Sequence, residues 1–224
     1  MEAKNISVCG KRMLGDKSVV KGFMYRKYVK RILDVVLSGS ALVVLFPVLL
    51  VIAVLELVFH GKPVMYHSVR PGYGEKLFPI YKFRTMTEER DEEGALLPEE
   101  QRLTRFGRFL RRTSLDELPQ LFNILKGDMS IIGPRALLPK YLELYPAEYR
   151  KRHDVRPGFA CMKLKNDGKS WTWREQFEND IFYVEHLSFW LDVKMVFAII
   201  RAVFDGNKTR VLGNRPEFDG KNLD

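Results

Sequence analysis

The feature that most limits how this chain can fold is an apolar run at residues 35–55. As a straight helix, these roughly 21 residues would cover about 31 Å, enough to cross the hydrocarbon core of a bilayer. Pro47 lies in the middle of the run, where a proline removes a backbone hydrogen bond and kinks a helix. We therefore favour a helix that enters one leaflet, bends at Pro47 and returns to the same membrane face. A straight span and a buried core helix are the alternatives.

Basic residues lie on both sides of this apolar run. Lys30 and Arg31 precede it, and Lys62 and Arg70 follow it. A simple spanning helix has its excess of Lys and Arg on the cytoplasmic side, so charge does not place the two ends on opposite sides of a membrane. The sequence therefore predicts a monotopic membrane protein in which residues 24–60 form the re-entrant helix.

The formal net charge of +9 predicts an anionic partner. Lipid headgroups and a phosphorylated substrate both fit this charge. Nucleic acid is not expected, because the sequence has neither zinc-type Cys and His spacing nor an RNA-binding aromatic signature. Cys9 and Cys161 provide no disulfide framework and fit a reducing compartment. We assign Cys161 to core packing, because no His or Asn is placed to suggest a catalytic partner.

The remaining sequence predicts an α/β fold that is mostly helical, with short strands. Strand-like segments lie at 63–66 and 76–81, and helical patterns lie at 103–110, 118–125, 139–152, 173–183 and 188–204. The helix at 103–110 is amphipathic and basic, which suits a membrane surface or, alternatively, a solvated face. The last helix is apolar nearly all round, so it is either deeply packed or partly in lipid. Asp192 on that helix needs a partner, and we favour a salt bridge over a nearby metal.

Residues 113–121 place two adjacent carboxylates, Asp116 and Glu117, just after the basic pair Arg111 and Arg112. Adjacent acids in a cationic setting suit phosphate chemistry, in which one acid attacks phosphorus and the other holds a metal. The alternative is structural. Ser114 followed three residues later by Glu117 matches a capping box at a helix start.

A set of motifs appears in a fixed order after the apolar run: KFRTM at 82–86, SLDELPQ at 114–120, KGDMS at 126–130, GPR at 133–135, VRPG at 155–158 and SFWLD at 188–192. Together with the basic-flanked run and its central proline, this order resembles the bacterial monotopic phosphoglycosyl transferases, the bacterial sugar transferase family. The resemblance covers residues 24–204. Each motif is weak alone, and their joint order is specific.

The resemblance implies an enzyme that moves a phospho-sugar from a UDP-sugar to undecaprenyl phosphate and releases UMP, as the first membrane step of glycoconjugate synthesis. Asp116 would be the nucleophile that forms a phosphosugar-aspartate, and Glu117 would ligate Mg²⁺. We expect Asp116 to be ionised because it lies at a helix start. The enzyme would contact membrane lipids at the bacterial inner membrane, with its site on the cytoplasmic face, and a homodimer is left open.

The resemblance also implies which cations contact phosphate. Arg135 is our preferred ligand for the nucleotide phosphate, and we expect only one member of the Arg111 and Arg112 pair to face phosphate. Lys82 and Arg84 share one face if this segment is extended, which favours phosphate or headgroup contact over a solvated face. The full set of predicted phosphate-binding residues is Lys82, Arg84, Arg111, Arg112, Arg135, Arg156 and Lys169.

Two departures from the family pattern stand out. Phe46 precedes Pro47, where relatives usually have a serine that can bond a freed carbonyl at the bend. The loop at 159–169 differs from the usual sequence, and Lys169 replaces an arginine with a one-residue shift. We expect Lys169 to act as a point charge there, and the loop to alter the sugar preference. The polar ending at 217–222 resembles small members that act on UDP-di-N-acetylbacillosamine, which is a hint about the sugar only.

These observations divide the chain into a flexible basic leader at 1–23, the re-entrant helix at 24–60, a cytoplasmic-face catalytic domain at 61–205 and a polar tail at 206–224. Two other functions remain open. One is a membrane scaffold that binds anionic lipid without chemistry, and the other is a metal-dependent pyrophosphatase that acts on nucleotide-sugars without a polyprenol acceptor.

Overall fold

The computed structural model describes residues 24–161, 172–204 and 216–223. The predicted leader at 1–23 and the predicted phosphate ligand Lys169 lie outside these residues. The described chain is mostly helical with four short strands, as the sequence predicts.

A π-helical turn at Tyr25–Val29 leads directly into α1, at Lys30–Phe59. The next elements are β1 at Met65–Pro71, β2 at Leu77–Phe83, α2 at Glu99–Arg102, α3 at Arg105–Thr113, a 3₁₀ turn at Leu115–Glu117 and α4 at Gln120–Lys126. The second half contains β3 at Ser130–Ile132, 3₁₀ segments at Pro139–Tyr141 and Ala147–Asp154, β4 at Gly158–Ala160, α5 at Trp173–Glu185 and α6 at Phe189–Phe204.

The strands form two separate pairs. β1 and β2 make an antiparallel hairpin with Met65 opposite Phe83. This confirms the segment predicted at 76–81, whereas the segment predicted at 63–66 overlaps only the first two residues of β1. β3 and β4 pair in parallel. The helix predicted at 139–152 is wrong, since two 3₁₀ segments occupy this region. Pro146 lies just before the second of them, and a proline removes a helical hydrogen bond and disfavours the α conformation of the residue before it.

Helix α1 is one continuous helix of 30 residues, with Pro47 in its interior. Its most apolar 18-residue stretch is only 11% buried, so the alternative of a buried core helix is wrong. Val43 and Val44 are 77% and 74% exposed, and Phe46 also lies on this exposed apolar face. The predicted bend at Pro47 stays a prediction.

The opposite face of α1 packs on the rest of the protein. Leu42 contacts two apolar clusters, one built around β2 and α4 and the other around Phe83 and Leu110. Leu49 and Ile52 belong to the second cluster and are buried. The helix is therefore attached along its length by a stripe of apolar side chains.

The N-terminal end of α1 is held by charged groups. Lys30 Nζ lies 2.6 Å from Asp192 Oδ2, which confirms the salt bridge expected for Asp192 on α6. The hydroxyl groups of Tyr25 and Tyr183 each donate to the same carboxylate at 2.6 Å. Further along α1, the carboxylate of Asp34 accepts hydrogen bonds from Ser130 and Ile131 of β3.

The C-terminal end of α1 is also bonded to the domain. His60 Nδ1 lies 2.9 Å from Glu56 Oε2, and His60 Nε2 lies 2.9 Å from Thr104 Oγ1. Thr104 is the N-cap of α3, because its hydroxyl accepts a hydrogen bond from the N–H of Gly107 at 2.9 Å. Both ends of α1 are thus fixed to the same folded unit.

The segment at 216–223 is polar in composition, as predicted, but it packs against the domain. Phe218 is buried in an aromatic cluster with Trp173 and Phe177. The indole of Trp173 donates to the carbonyl of Pro216 at 3.1 Å. A polar tail therefore describes the composition of these residues and not their packing.

Replacing Asp192 with Asn should lower the free energy of unfolding by about 3–5 kcal/mol, because it leaves the buried ammonium of Lys30 without its counter-charge. Thermal unfolding of the detergent-purified protein measures this loss. The matched control is Glu185→Gln, which removes an exposed partner of Lys151 at 3.8 Å and should change stability by no more than about 0.5 kcal/mol. Equal unfolding temperatures for the two variants would contradict the anchoring role of Asp192.

Candidate functional site

The dyad of Asp116 and Glu117 lies in a tight connection between α3 and α4. Ser114 ends α3 in the left-handed conformation, with φ of 60° and ψ of 21°, and turns the chain away from the helix axis. The 3₁₀ turn and Pro119 then lead into α4. This reversal places both acids between the two helices.

The capping-box interpretation of this segment is wrong. The side chain of Ser114 makes no capping hydrogen bond, and Glu117 directs its carboxylate to Lys82. A capping box exists elsewhere, between Thr172 and Glu175 at the start of α5. The acids in the turn are therefore not explained by helix capping.

Glu117 is held by two cations. Its Oε1 lies 2.6 Å from Lys82 Nζ and 3.5 Å from a terminal nitrogen of Arg135. Burial raises the pKa of Glu117, but the charges of Arg135 and Lys82 outweigh this effect, and the pKa lies below its usual value. Glu117 is therefore ionised at neutral pH.

Asp116 is in the opposite situation. Burial and the neighbouring charge of Glu117 raise its pKa, while Lys82 and Arg111 oppose the rise. The first turn of an exposed helix, which was expected to favour the charged form of Asp116, is replaced by a buried 3₁₀ turn. Its ionisation depends on the surrounding cations.

Arg111 and Arg112 differ in their surroundings. Arg111 acts electrostatically on Asp116 and donates from Nε to Thr85 Oγ1 at 3.0 Å. Arg112 is exposed on α3. Of this pair, Arg111 is the member at the dyad.

Arg84 and Arg156 are engaged by backbone carbonyl groups. Arg84 lies one residue beyond β2, is buried, and donates to the carbonyls of His60 and Gly61. It therefore does not accompany Lys82 toward Glu117. Arg156 donates to the carbonyl of Gly127 at 2.8 Å, at the end of α4 opposite the dyad. That end lies roughly 10 Å from the start of α4, measured along the helix axis, given the length of α4.

Two arginines that sequence analysis did not select lie beside Arg135. Burial and the charge of Arg135 lower the pKa of Arg70, so these two guanidinium groups are neighbours. Arg152 donates to the carbonyl of Arg135 at 2.8 Å. The register of the hairpin contains a signal for Arg70. Tyr66 on β1 pairs with Lys82, and Arg70 follows Tyr66 by an even number of positions, so alternation along the strand places Arg70 on the same face of the hairpin as Tyr66.

Cys161 has the character of an unreactive thiol. Burial, followed by the charge of Asp180, raises its pKa far above the usual range. Its Sγ lies 3.7 Å from Asp180 Oδ1. This environment favours the packing role expected for Cys161 over nucleophilic chemistry.

The described residues contain no cluster of three or more His, Cys, Asp and Glu side chains that could form a complete metal cage. Mg²⁺ commonly takes only one or two carboxylates from a protein and completes its shell with water and substrate phosphate. The ionised oxygens of Glu117, beside Asp116, fit that kind of site. Lys82 would give up its contact with Glu117 to such an ion.

Comparison with known proteins gives a consistent result. The model of the bacterial sugar transferase family matches residues 25–206. The chain is 45% identical over 180 residues to the sugar transferase EpsL of Bacillus subtilis. The aligned region covers 78% of this chain and 87% of EpsL.

Two longer relatives have names that state a reaction. The UDP-N-acetylgalactosamine-undecaprenyl-phosphate N-acetylgalactosaminephosphotransferase of Aeromonas hydrophila is 37% identical over 187 residues, 80% of this chain and 44% of that protein. The UDP-glucose:undecaprenyl-phosphate glucose-1-phosphate transferase of Klebsiella pneumoniae is 36% identical over 181 residues, 76% of this chain and 39% of that protein. This chain thus spans less than half the length of these two relatives.

A close backbone contact fixes α3, and the dyad after it, against the end of the hairpin. A Cβ atom at Gly107 would lie 1.9 Å from the carbonyl oxygen of Thr85, so Gly107→Ala should destabilise the protein by about 1–3 kcal/mol. The control is Gly39→Ala in α1, whose Cβ would meet Leu125 at an ordinary 4.0 Å and should not lower stability. Thermal unfolding of both variants checks this. A Gly107→Ala protein as stable as wild type would show that α3 is not held by this contact.

Proposed function

The chain belongs to the bacterial sugar transferase family, and from this membership and the dyad geometry we propose that it transfers a phospho-sugar from a UDP-sugar to undecaprenyl phosphate and releases UMP. The observation that carries the proposal is the pairing of two adjacent carboxylates that have different electrostatic surroundings. Glu117 is ionised between Lys82 and Arg135, whereas Asp116 is buried beside it. The names of the Aeromonas and Klebsiella relatives support the same reaction class.

In the proposed reaction, a carboxylate oxygen of Asp116 attacks the phosphorus that bears the sugar. The new bond joins Asp116 to that phosphorus, the bond to the bridging oxygen breaks, and UMP leaves with this oxygen. A phosphate oxygen of undecaprenyl phosphate then attacks the same phosphorus and releases the carboxylate. The division into two steps means that the two polyanionic substrates need not meet directly.

The cations of the site have two functions in this scheme. Lys82 and Arg111 favour the ionised and therefore nucleophilic form of Asp116. Lys82 and Arg135 also lie where they can neutralise the diphosphate and the departing UMP. Glu117 would hold Mg²⁺ together with diphosphate oxygens, and the ion would supply additional charge neutralisation. Arg135 fits the nucleotide phosphate best, because it contacts Glu117 and its side chain is still 37% exposed.

We also propose that α1 is monotopic and re-entrant at the bacterial inner membrane, with the dyad on the cytoplasmic face. A straight span would carry one end of α1 about 30 Å away, to the far side of the bilayer. Lys30 and His60, near the two ends, are instead bonded to the same domain. The exposed apolar face of α1 and the exposed Trp190 and Phe197 of α6 would contact lipid.

Asp116→Asn should lower UMP release by at least about 10³-fold, because it removes the nucleophile. Glu117→Gln should also lower the rate and require more Mg²⁺, and EDTA should stop the wild-type reaction. The assay follows UMP from a panel of UDP-sugars that includes UDP-N-acetylgalactosamine and UDP-glucose, in detergent, with and without undecaprenyl phosphate. Glu185→Gln is the charge-matched control and should retain the wild-type rate.

The same assay separates the two other functions. Sustained UMP release without undecaprenyl phosphate would favour a nucleotide-sugar pyrophosphatase. Release that is unaffected by Asp116→Asn would contradict the assigned nucleophile. A protein that binds anionic lipid and releases no UMP from any donor would fit the scaffold.

The orientation of α1 gives a separate prediction. In a background with Cys9→Ser and Cys161→Ser, single cysteines in place of the exposed Tyr28 and Lys62 should both react with an impermeant maleimide in inverted membrane vesicles. Neither should react in intact spheroplasts. Lys151→Cys on the domain surface marks the cytoplasmic face. Labelling of either position from the periplasmic side would show that α1 spans the membrane.

A further inference from the structure

Arg70 is a partly buried arginine that has no counter-charge within the described residues. It lies on β1, and burial is the main cause that lowers the pKa of its guanidinium. No described residue forms a hydrogen bond or an ion pair with that guanidinium. Its nitrogens nevertheless remain accessible to solvent. Removing a cation from water without pairing it is costly, so an accessible, unpaired guanidinium of this kind is suited to bind an anion.

The register of the hairpin places Arg70 on the same face as Lys82. Lys82 pairs with Tyr66, and Arg70 follows Tyr66 by four residues, which is roughly 13 Å along the strand. Phe78 and Ile80 are on the same face, where both are buried against α4. Arg70 and Lys82 therefore lie at the two ends of the face that packs on the helix after the dyad.

Arg135 approaches both of these cations. Its guanidinium lies 3.5 Å from Glu117 Oε1, the same oxygen that contacts Lys82. The charge of Arg135 also acts on Arg70, and Arg135 lines a small cavity together with Pro71, the residue after Arg70. The three cations therefore form a row that begins at the dyad and ends at Arg70.

This row has more positive than negative charge. Lys82 and Arg135 share one carboxylate oxygen of Glu117. At the dyad, Arg111 contributes a further cation and Asp116 a further acid. With Arg70 included, four cations face two carboxylates. A phosphate group would offset this excess and relieve the repulsion between the two neighbouring guanidinium groups.

We propose that Arg70, together with Arg135, binds the nucleotide phosphate of the UDP-sugar. This proposal rests on the proposed function, in which Asp116 reaches the sugar-bearing phosphorus. Arg135 contacts the dyad through Glu117, whereas Arg70 forms no ion pair with either acid of the dyad. Arg70 is thus one step farther along the row, where the second phosphate of the diphosphate follows the first. Two guanidinium groups can donate charge-assisted hydrogen bonds to different oxygens of that phosphate.

The test measures binding and needs no turnover. Calorimetry on the full chain in detergent with Mg²⁺ compares UMP, which has the phosphate, with uridine, which lacks it. Arg70→Gln should weaken the binding of UMP at least about tenfold, because it removes a charged donor from the phosphate. Uridine should show no difference between the two proteins. Farnesyl phosphate, a short analogue of the acceptor, is the third probe.

Two further variants connect the effect to the guanidinium of Arg70. Arg70→Lys keeps the charge but loses the planar fork, so it should recover only part of the affinity for UMP. Arg150→Gln is the matched control, because it removes an exposed arginine that pairs with Glu75 at the turn of the same hairpin. It should bind UMP as wild type does. If Arg70→Gln fails to fold, Arg70→Lys still has to bind UMP more weakly than wild type.

Other outcomes would overturn the proposal. One is UMP binding by Arg70→Gln that equals wild type, and another is equal weakening of UMP and uridine, which would indicate a general distortion. Absence of UMP binding by the wild-type protein would also contradict it. Weaker binding of farnesyl phosphate with unchanged binding of UMP would assign Arg70 to the acceptor instead.

These results are distinct from those of the transfer assay. Loss of UMP affinity in Arg70→Gln, without any transfer by the wild-type protein, would retain the phosphate site and refute the proposed function. Transfer by the wild-type protein, with unchanged UMP binding in Arg70→Gln, would refute only the role of Arg70.

Discussion

The structure depends on the attachment of α1 to one domain at both of its ends. Lys30 pairs with Asp192 near the start of the helix, and His60 reaches Thr104 just past its end. Thr104 caps α3, which ends directly before the dyad. A continuous set of hydrogen bonds therefore connects α1 to the turn that carries the two acids. The position of α1 and the position of Asp116 are therefore coupled.

The second constraint is electrostatic. Two adjacent carboxylates in a partly buried turn repel each other, and the protein resolves this by giving them different neighbours. Lys82 and Arg135 lower the pKa of Glu117 below its usual value, against the effect of burial, whereas the pKa of Asp116 is raised. Such a difference between neighbouring acids is typical of sites where one carboxylate holds charge and the other reacts.

The sequence predicted the segments of the β1–β2 hairpin, most helices and the dyad, because these depend on local patterns and on motif order. It did not predict the parallel pair of β3 and β4, whose strands have only three residues each and are far apart in the sequence. It predicted Lys82 and Arg84 to act together, and the structure separates them, since β2 ends at Phe83 and Arg84 turns back to the carbonyls after α1. The predicted capping box is absent because the carboxylate of Glu117 pairs with Lys82, which is far away in the sequence.

The most direct test of Asp116 as the nucleophile is the intact mass of the protein after a single turnover with a UDP-sugar and Mg²⁺ in the absence of undecaprenyl phosphate. If Asp116 is the nucleophile, one equivalent of UMP is released and the mass of the protein increases by one phospho-sugar, located on the peptide that contains Asp116. Subsequent addition of undecaprenyl phosphate should remove this mass. Stoichiometric UMP release with no covalent adduct, or an adduct on another residue, would contradict the assignment of Asp116 as the nucleophile.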